Sequence, residues 1–150
     1  MKMNVKGDDN FRTPDHIFNQ LNDIFSFTLD AACTTEDCKC PKGLYFDKGI
    51  DALSRDWSNE RVFCNPPFSQ KAAFIEKAYD EVINGNCPIV VMVLPSNCQD
   101  SKAFQQYVKK NFFYETLSGR VVFIDPETKQ PMKGNNSRTT IVYFKKDITR

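Results

Sequence analysis

The sequence predicts an α/β sandwich with a mainly parallel sheet and a C-terminal antiparallel strand. Residues 88–94 form an unbroken apolar run bounded by prolines, as expected for a strand buried on both faces. Helical and strand-like segments alternate along the chain, which favours strands joined by crossover helices. Two strand-like segments, residues 120–124 and 139–144, close the chain without a helix between them, so we expect an antiparallel addition there.

The other elements are predicted from periodicity and from the residues that start and end them. Thr13 as N-cap and Pro14 at the first helical position predict an amphipathic helix of about three turns, because apolar residues follow at helical spacing up to residue 25. Further strands are predicted at residues 25–29, 44–46 and 62–64, and further helices from Ser69 to Gly85 and over residues 101–111.

Length and composition predict one domain. The 150 residues, 41% hydrophobic and 26% charged, suffice for one core, and we expect a flexible arm at residues 1–11 followed by a single domain over residues 12–150. A net charge of +1 excludes a strong global field for nucleic acid, so any such contact must use local basic patches. No apolar run reaches the ~18 residues of a membrane span, and the polar N-terminus is unlike a signal peptide. We therefore expect a cytoplasmic protein without a membrane partner.

The six cysteines are expected to be reduced thiols in such a compartment. Cys33, Cys38 and Cys40 lie close together in sequence, and Cys64 could approach them in the fold. The C-x2-C spacing of zinc sites is absent, however, and the single histidine, His16, belongs to another segment. We therefore predict no metal-binding residues.

The stretch from Val62 to Phe68 has the most distinctive chemistry. An apolar strand end is followed by Asn65, two prolines and Phe68, and the prolines force the backbone to leave the sheet stiffly. The Asn65 amide oxygen and the Pro66 carbonyl can accept both N–H bonds of an amino group on a flat ring, while Phe68 stacks on that ring. The alternative is a proline-rich turn with a core phenylalanine in a purely structural domain.

Six motifs together resemble the small phage-type DNA adenine-N6 methyltransferases, over residues 11–144. They are Thr13-Pro14, Leu29-Asp30-Ala31-Ala32, Asp51-x-Leu53-x-x-x-Trp57, Cys64-Asn65-Pro66-Pro67-Phe68, Leu94-Pro95-Ser96 and Gly119-Arg120-Val121-Val122-Phe123. The resemblance implies a class I, Rossmann-like three-layer α/β/α fold that uses S-adenosylmethionine. Asn-Pro-Pro-aromatic is the most specific motif, shared with other enzymes that methylate planar amino groups.

The resemblance also implies a cofactor site. Its residues would be Thr13, Pro14, Asp30, Ala31, Ala32, Asp51 and Asn65. Asp30 and the alanines would lie beside the methionine end of the cofactor, where many methyltransferases have a glycine-rich turn, and Thr13-Pro14 would close over it. Asp51 would accept a hydrogen bond from the amino group of the cofactor's adenine. The ribose ligand is left open between Glu36 and Asp47.

The target implied by the resemblance is an adenine flipped out of double-stranded DNA. Asn65, Pro66, Pro67 and Phe68 would form the catalytic motif. The residues expected to contact DNA are Arg120, Lys133 and Arg138, and the segments 33–43 and 125–138 are expected to read a short recognition site without a separate target-recognition domain. The enzyme would be a monomer or a homodimer, in the host cytoplasm if phage-encoded.

Three alternatives stay open at this point. The same motif serves methyltransferases of RNA adenine and of glutamine side chains. A catalytically silent protein that binds DNA or cofactor as a decoy is a second alternative, and a structural α/β domain is the third.

Overall fold

The computed structural model describes residues 13–33, 38–40, 42–45, 52–118, 129–130 and 138–146. They form helices α1 (Asp15–Phe25) and α2 (Lys71–Ile83), and strands β1 (Leu29–Cys33), β2 (Lys42–Tyr45), β3 (Arg61–Cys64), β4 (Ile89–Pro95), β5 (Phe113–Thr116) and β6 (Thr139–Phe144). Short 3-10 helices lie at Ala52–Ser54, Phe68–Gln70 and Ser96–Asp100, and a π-helical turn at Phe104–Val108. Within these ranges, every helix is too short or too polar to span a bilayer.

The six strands form one mixed sheet in the order β2-β1-β3-β4-β6-β5. β1 pairs in parallel with β2 and β3, and β3 pairs in parallel with β4. β6 is antiparallel to both β4 and β5, and its pairing with β4 is the longest ladder in the sheet. The α/β class is confirmed, and the sheet is mixed: three of the five pairings are parallel, and both pairings of β6 are antiparallel. The predicted C-terminal antiparallel strand is present as β6, but it lies between β4 and β5 and not at the edge of the sheet.

Alternate residues of the central strands enter two separate apolar clusters. Val90 and Met92 belong to a cluster that contains the buried side of α2, and Val91 and Val93 belong to one that contains Phe18 and other residues of α1. Successive side chains of a strand point to opposite faces, so each face of the sheet has its own cluster. The predicted strand over residues 88–94 is confirmed as one buried on both faces, since its side chains from Ile89 to Leu94 are at most 1% exposed.

Helix α1 is confirmed, but its start differs from the prediction. Pro14 is the N-cap residue, and no side chain caps the helix. Ser26 adopts a left-handed conformation, with φ of 53°, and its N–H bonds to the carbonyl of Asn22, which ends the helix. Ile24, expected on the apolar face, is 70% exposed.

The first strand begins later than predicted. We expected residues 25–29 to be a strand ending at Asp30-Ala31-Ala32, but α1 continues to Phe25 and β1 covers Leu29–Cys33. Thr28 fixes the start of pairing with β3, because its N–H donates to Arg61 O at 2.8 Å and its Oγ1 accepts from Arg61 N at 2.9 Å. The predicted Asp30 to Ala32 turn is therefore part of a buried strand.

The helix after the proline pair also starts differently. Ser69 was expected to cap it, but Phe68–Gln70 forms a 3-10 turn and α2 begins at Lys71. α2 ends at Ile83, and a Cβ atom on Gly85 would lie 2.8 Å from the Glu81 carbonyl oxygen. Glycine is thus required by a close backbone approach just beyond the observed helix end, at the residue predicted to terminate the helix.

The last third of the chain contains one strand that the sequence did not reveal. β5 (Phe113–Thr116) follows the π-helical turn, whereas we predicted a helix over residues 101–111 and then a strand over residues 120–124. The buried side chains of Phe104 and Val108 confirm the inward face of that helical segment. Residues 120–124 lie outside the described residues, and β6 matches the predicted strand at residues 139–144.

The expectation of six reduced thiols is wrong for one pair. Cys33, the last residue of β1, forms a disulfide bond with Cys38, their Cα atoms being 5.0 Å apart. The short separation of the two cysteines in sequence lets the segment after β1 bring them together. The thiols of Cys40, Cys64, Cys87 and Cys98 are buried and unpaired with one another.

Candidate active site

Several of the predicted site residues that the structure describes lie on or directly after β1 and β3, which run toward one edge of the sheet. Leu29 and Asp30 of β1 are opposite Val62 and Phe63 of β3, so the residues that follow each pair run toward the same edge. Asn65 directly follows β3 there. Open α/β sheets commonly bind ligands at the carboxyl ends of their parallel strands.

Asn65 is hydrogen-bonded to Thr13, a residue distant from it in sequence. Its Nδ2 donates to Thr13 Oγ1 at 2.9 Å, although the residues are 52 positions apart. Thr13 is 1% exposed, so the contact is sheltered from solvent on that side. The Nδ2 bond fixes the orientation of the amide, and Oδ1 consequently points away from Thr13. Sequence reasoning assigned Thr13 to a helix cap and did not foresee this bond.

The proline pair and Phe68 have contrasting environments. Pro66 and Pro67 are buried, which anchors the backbone of the motif in the protein. Phe68 is 42% exposed, so it is not the core phenylalanine of the alternative interpretation. The motif therefore combines a fixed backbone with an accessible aromatic ring.

Asp30 is 2% exposed, and its carboxyl group organises the segment after β1. Its Oδ1 accepts from the Ala32 N–H at 3.3 Å, and its Oδ2 accepts from the Lys39 N–H at 2.9 Å. Lys39 then reaches α1, where its Nζ lies 2.8 Å from Asp15 Oδ1. These contacts connect β1, the segment after it and the start of α1.

The buried carboxyl group also affects two nearby thiols. Burial and the charge of Asp30 raise the pKa of the Cys40 thiol to about 12, and the same two causes raise the pKa of Cys64 well above its usual value. A thiol is nucleophilic only as a thiolate. Cys64, although adjacent to Asn65, is therefore suited to packing and not to nucleophilic chemistry.

Only one of the three predicted DNA-contacting residues is described. Arg138 is exposed, and its carbonyl accepts from Ser96 N–H at 2.7 Å, next to the pairing of Pro95 with Thr139. This places Arg138 at the same edge of the sheet as Asn65, because Pro95 is the last residue of β4. The other predicted site residues outside the described ranges are Arg120, Lys133, Asp51 and the two ribose candidates, Glu36 and Asp47.

A residue that sequence reasoning missed lies over the aromatic ring of the motif. Lys71, the first residue of α2, has its Nζ 3.9 Å from the centre of the Phe68 ring and 3.2 Å from the Phe68 carbonyl oxygen. The only sequence signal is its position three residues after Phe68, at the start of a helix.

A cavity of about 500 Å³ lies elsewhere, between α2, the Ala52–Ser54 turn and the π-helical turn. It is lined by Leu53, Ala73, Glu76, Lys77, Tyr79, Asp80 and Tyr107. None of the predicted site residues that the structure describes contributes to its lining. The chemistry of the strand-end site is thus separate from this surface depression.

The residues at the strand ends fit a charged, polar cofactor in their chemistry. The Thr13 hydroxyl and the Asn65 amide are in contact, the buried Asp30 belongs to the strand that pairs with β3, and Ala31 and Ala32 leave little side-chain bulk beside it. The Asp30 carboxyl group also accepts hydrogen bonds from two backbone N–H groups, so it helps to fix the backbone around it. Across the described part of the chain, no three His, Cys, Asp or Glu side chains are grouped as metal ligands would be.

Comparisons with known proteins point in one direction. A family model described as DNA N-6-adenine-methyltransferase (Dam) matches residues 1–149. The DNA N-6-adenine-methyltransferase of Escherichia phage T1 is 28% identical over 89% of this chain and 61% of its own length, so the chain spans less than two thirds of that protein. The enzyme of the same name from Haemophilus phage HP1 (strain HP1c1) is 26% identical over 95% of this chain and 83% of its own length. The putative methyltransferase YfdM of Escherichia coli (strain K12) is 36% identical over 40% of this chain and 71% of its own length.

Proposed function

Because the chain belongs to the DNA N-6-adenine-methyltransferase family, we propose that it transfers a methyl group from S-adenosylmethionine to the exocyclic amine of adenine in DNA. The adenine is flipped out of double-stranded DNA at a short recognition site. The observation that best supports this proposal is the hydrogen bond from Asn65 to Thr13. It joins the motif expected to bind the target amine to the residue expected to cover the cofactor.

Asn65 and Pro66 act as the acceptors for the target amine. The nitrogen at adenine N6 is conjugated with the ring and is a poor nucleophile. Two acceptors for its N–H bonds, the Asn65 Oδ1 and the Pro66 carbonyl, favour a pyramidal nitrogen with its lone pair available. The Asn65 to Thr13 bond supports this role because it holds the amide with Oδ1 directed away from Thr13.

Thr13, Pro14, Asp30, Ala31 and Ala32 would hold the cofactor, together with Asp51. S-adenosylmethionine supplies, when bound, a methyl group attached to a positively charged sulfur. The carboxyl group of Asp30, which is 2% exposed, would supply negative charge at this edge. Correct placement of the two ligands then provides much of the rate enhancement.

Phe68 binds the flipped base by stacking. A base removed from the duplex loses its neighbours in the stack, and an aromatic side chain replaces part of that interaction. The 42% exposure of Phe68 supports this role, since a ring buried in the core could not receive a ligand. Arg138, which is exposed at the same edge, would contact the DNA backbone.

The fold that best suits these roles is the class I, Rossmann-like methyltransferase fold. Helix α1 packs on one face of the sheet and α2 on the other, which supports a three-layer α/β/α arrangement. The antiparallel β6 between β4 and β5 is compatible with that arrangement.

A transfer assay distinguishes this function from its alternatives. Radiolabelled S-adenosylmethionine is incubated with unmethylated duplex DNA, with RNA or with protein, and the methylated nucleosides are identified after digestion. We expect label in N6-methyl-2′-deoxyadenosine from the DNA sample and in no other sample. Label in RNA or in glutamine would replace the proposed substrate. A chain that binds the cofactor in calorimetry and transfers nothing would be a silent binder.

A further inference from the structure

We propose that Lys71 is a positioning residue for the target nucleotide: its ammonium group occupies a face of Phe68 in the free protein and moves to a phosphate when a flipped base stacks there. This inference rests on the proposed function. It concerns a residue outside the Asn-Pro-Pro-Phe motif, and it gives α2 a direct role in holding DNA.

The position of Lys71 coincides with that of a stacked base. Its Nζ is 3.9 Å from the centre of the Phe68 ring, which is shorter than the ~4.5–7 Å between the centres of packed aromatic rings. A base on that face of Phe68 and the ammonium group cannot occupy the space together. Lys71 must therefore move if the base stacks on the face that it covers.

The contacts that hold Lys71 are weak enough to be exchanged. Among the described residues, Nζ makes a cation–π contact with the Phe68 ring and an exposed hydrogen bond to the Phe68 carbonyl oxygen at 3.2 Å. An exposed cation–π contact is weaker than the stacking of a base on an aromatic ring. Stacking of the base is thus expected to displace the ammonium group.

The released ammonium group has an obvious partner. Every flipped nucleotide has a phosphate on each side, and the long lysine side chain stays attached to the start of α2, three residues after Phe68. A lysine binds phosphate as a point charge and does not require a fixed orientation. The Lys71 ammonium group leaves the Phe68 ring as a phosphate of the flipped nucleotide comes within reach. Stacking of the base and the phosphate contact are therefore linked.

The test is the salt dependence of methyl transfer. Lys71→Met removes the charge while keeping the aliphatic length, Lys71→Arg keeps the charge, and Lys110→Met is the matched control. Lys110 is exposed and precedes β5. Because β5 runs from Phe113 toward the active-site edge, Lys110 lies before the end of the strand that is remote from that edge. The measurement is kcat/KM on unmethylated duplex DNA of mixed sequence as a function of salt concentration.

Loss of one phosphate contact reduces the slope of log kcat/KM against log salt by about 0.9. Raising the salt concentration from about 50 mM to about 200 mM lowers kcat/KM by some factor for each protein. That factor should be about threefold to fourfold larger for wild type than for Lys71→Met. Lys71→Arg and Lys110→Met should keep the wild-type slope. A Lys71→Met slope equal to that of wild type overturns the role of Lys71 alone, whereas wild-type protein that methylates no DNA refutes the proposed function and this inference together.

The displacement itself is tested by NMR on a duplex whose methylated site has been mapped. The Lys71 ε-methylene resonance, identified by its absence in Lys71→Arg, should be shifted upfield by the Phe68 ring in the free protein. It should return to the usual lysine position when the duplex binds. An upfield shift that persists in the complex would contradict the exchange.

Discussion

Thr13 Oγ1 accepts a hydrogen bond from Asn65 Nδ2 at 2.9 Å, joining the residue before α1 to the residue after β3. A threonine at the start of a helix ordinarily caps that helix. Here the hydroxyl leaves the helix uncapped and orients an amide instead. The helix loses a side-chain cap, but the same hydroxyl fixes the position of Asn65 Oδ1, the atom that is proposed to accept a hydrogen bond from the target amine.

Replacing Thr13 by valine should reduce catalysis more than stability. The Asn65 amide would lose its orienting partner, and the loss of one such hydrogen bond, about 1–1.5 kcal/mol, corresponds to a decrease of about tenfold in kcat. Activity is measured at saturating cofactor, so that weaker cofactor binding does not contribute. Thr13→Ser keeps the hydroxyl and should retain most of the activity, and equal kcat values for wild type and Thr13→Val would contradict the orienting role.

Replacing Asp30 by alanine should destabilise the folded state. Two backbone N–H groups, those of Ala32 and Lys39, would lose a carboxyl acceptor at a buried position, so we expect the free energy of unfolding to fall by about 2–4 kcal/mol. Urea denaturation measures the change. Asp30→Asn retains one acceptor oxygen and should lose less. If both variants were as stable as wild type, the bonds from Asp30 would not organise this segment.

The protein should become less stable at high pH because of its buried thiols. Burial is the main cause that raises the pKa of Cys98 from 9.0 to about 12, although the charge of Lys71 opposes it. In the unfolded chain the thiol ionises at its ordinary pKa, so its contribution to stability is complete below pH 9.0 and is lost as the pH rises toward 12. Urea denaturation across this range should show a shallower decline for Cys98→Ala than for wild type. Identical slopes would assign the decline to other groups.

The features that could be predicted from sequence are those with a strong local pattern. The run at residues 88–94 had to be a buried strand, because no other environment accommodates so many consecutive apolar residues between prolines. The place of Asn65 at a strand end followed from the two prolines after it. The helix at residues 15–25 followed from the spacing of its apolar residues.

The features that could not be predicted depend on contacts between distant segments. The Thr13 hydroxyl could either cap the helix that follows it or bond to a residue distant in sequence, and the sequence does not decide between these two roles. The position of β6 between β4 and β5 depends on pairing across the chain, which periodicity does not encode. Pairing of Cys33 with Cys38 likewise depends on how the segment after β1 is shaped. Lys71 was missed because a single lysine acquires a role only from the ring beside it.

The central claim is most directly tested by sequencing the methylated bases in DNA from cells that express the protein or its Asn65→Ala variant. The host must lack adenine methylation of its own. We expect N6-methyladenine within one short recurrent sequence for wild type and none for Asn65→Ala, with both proteins folded and binding S-adenosylmethionine in calorimetry. Unmethylated DNA from cells containing folded wild-type protein, or methylation by Asn65→Ala at the wild-type level, would contradict the account.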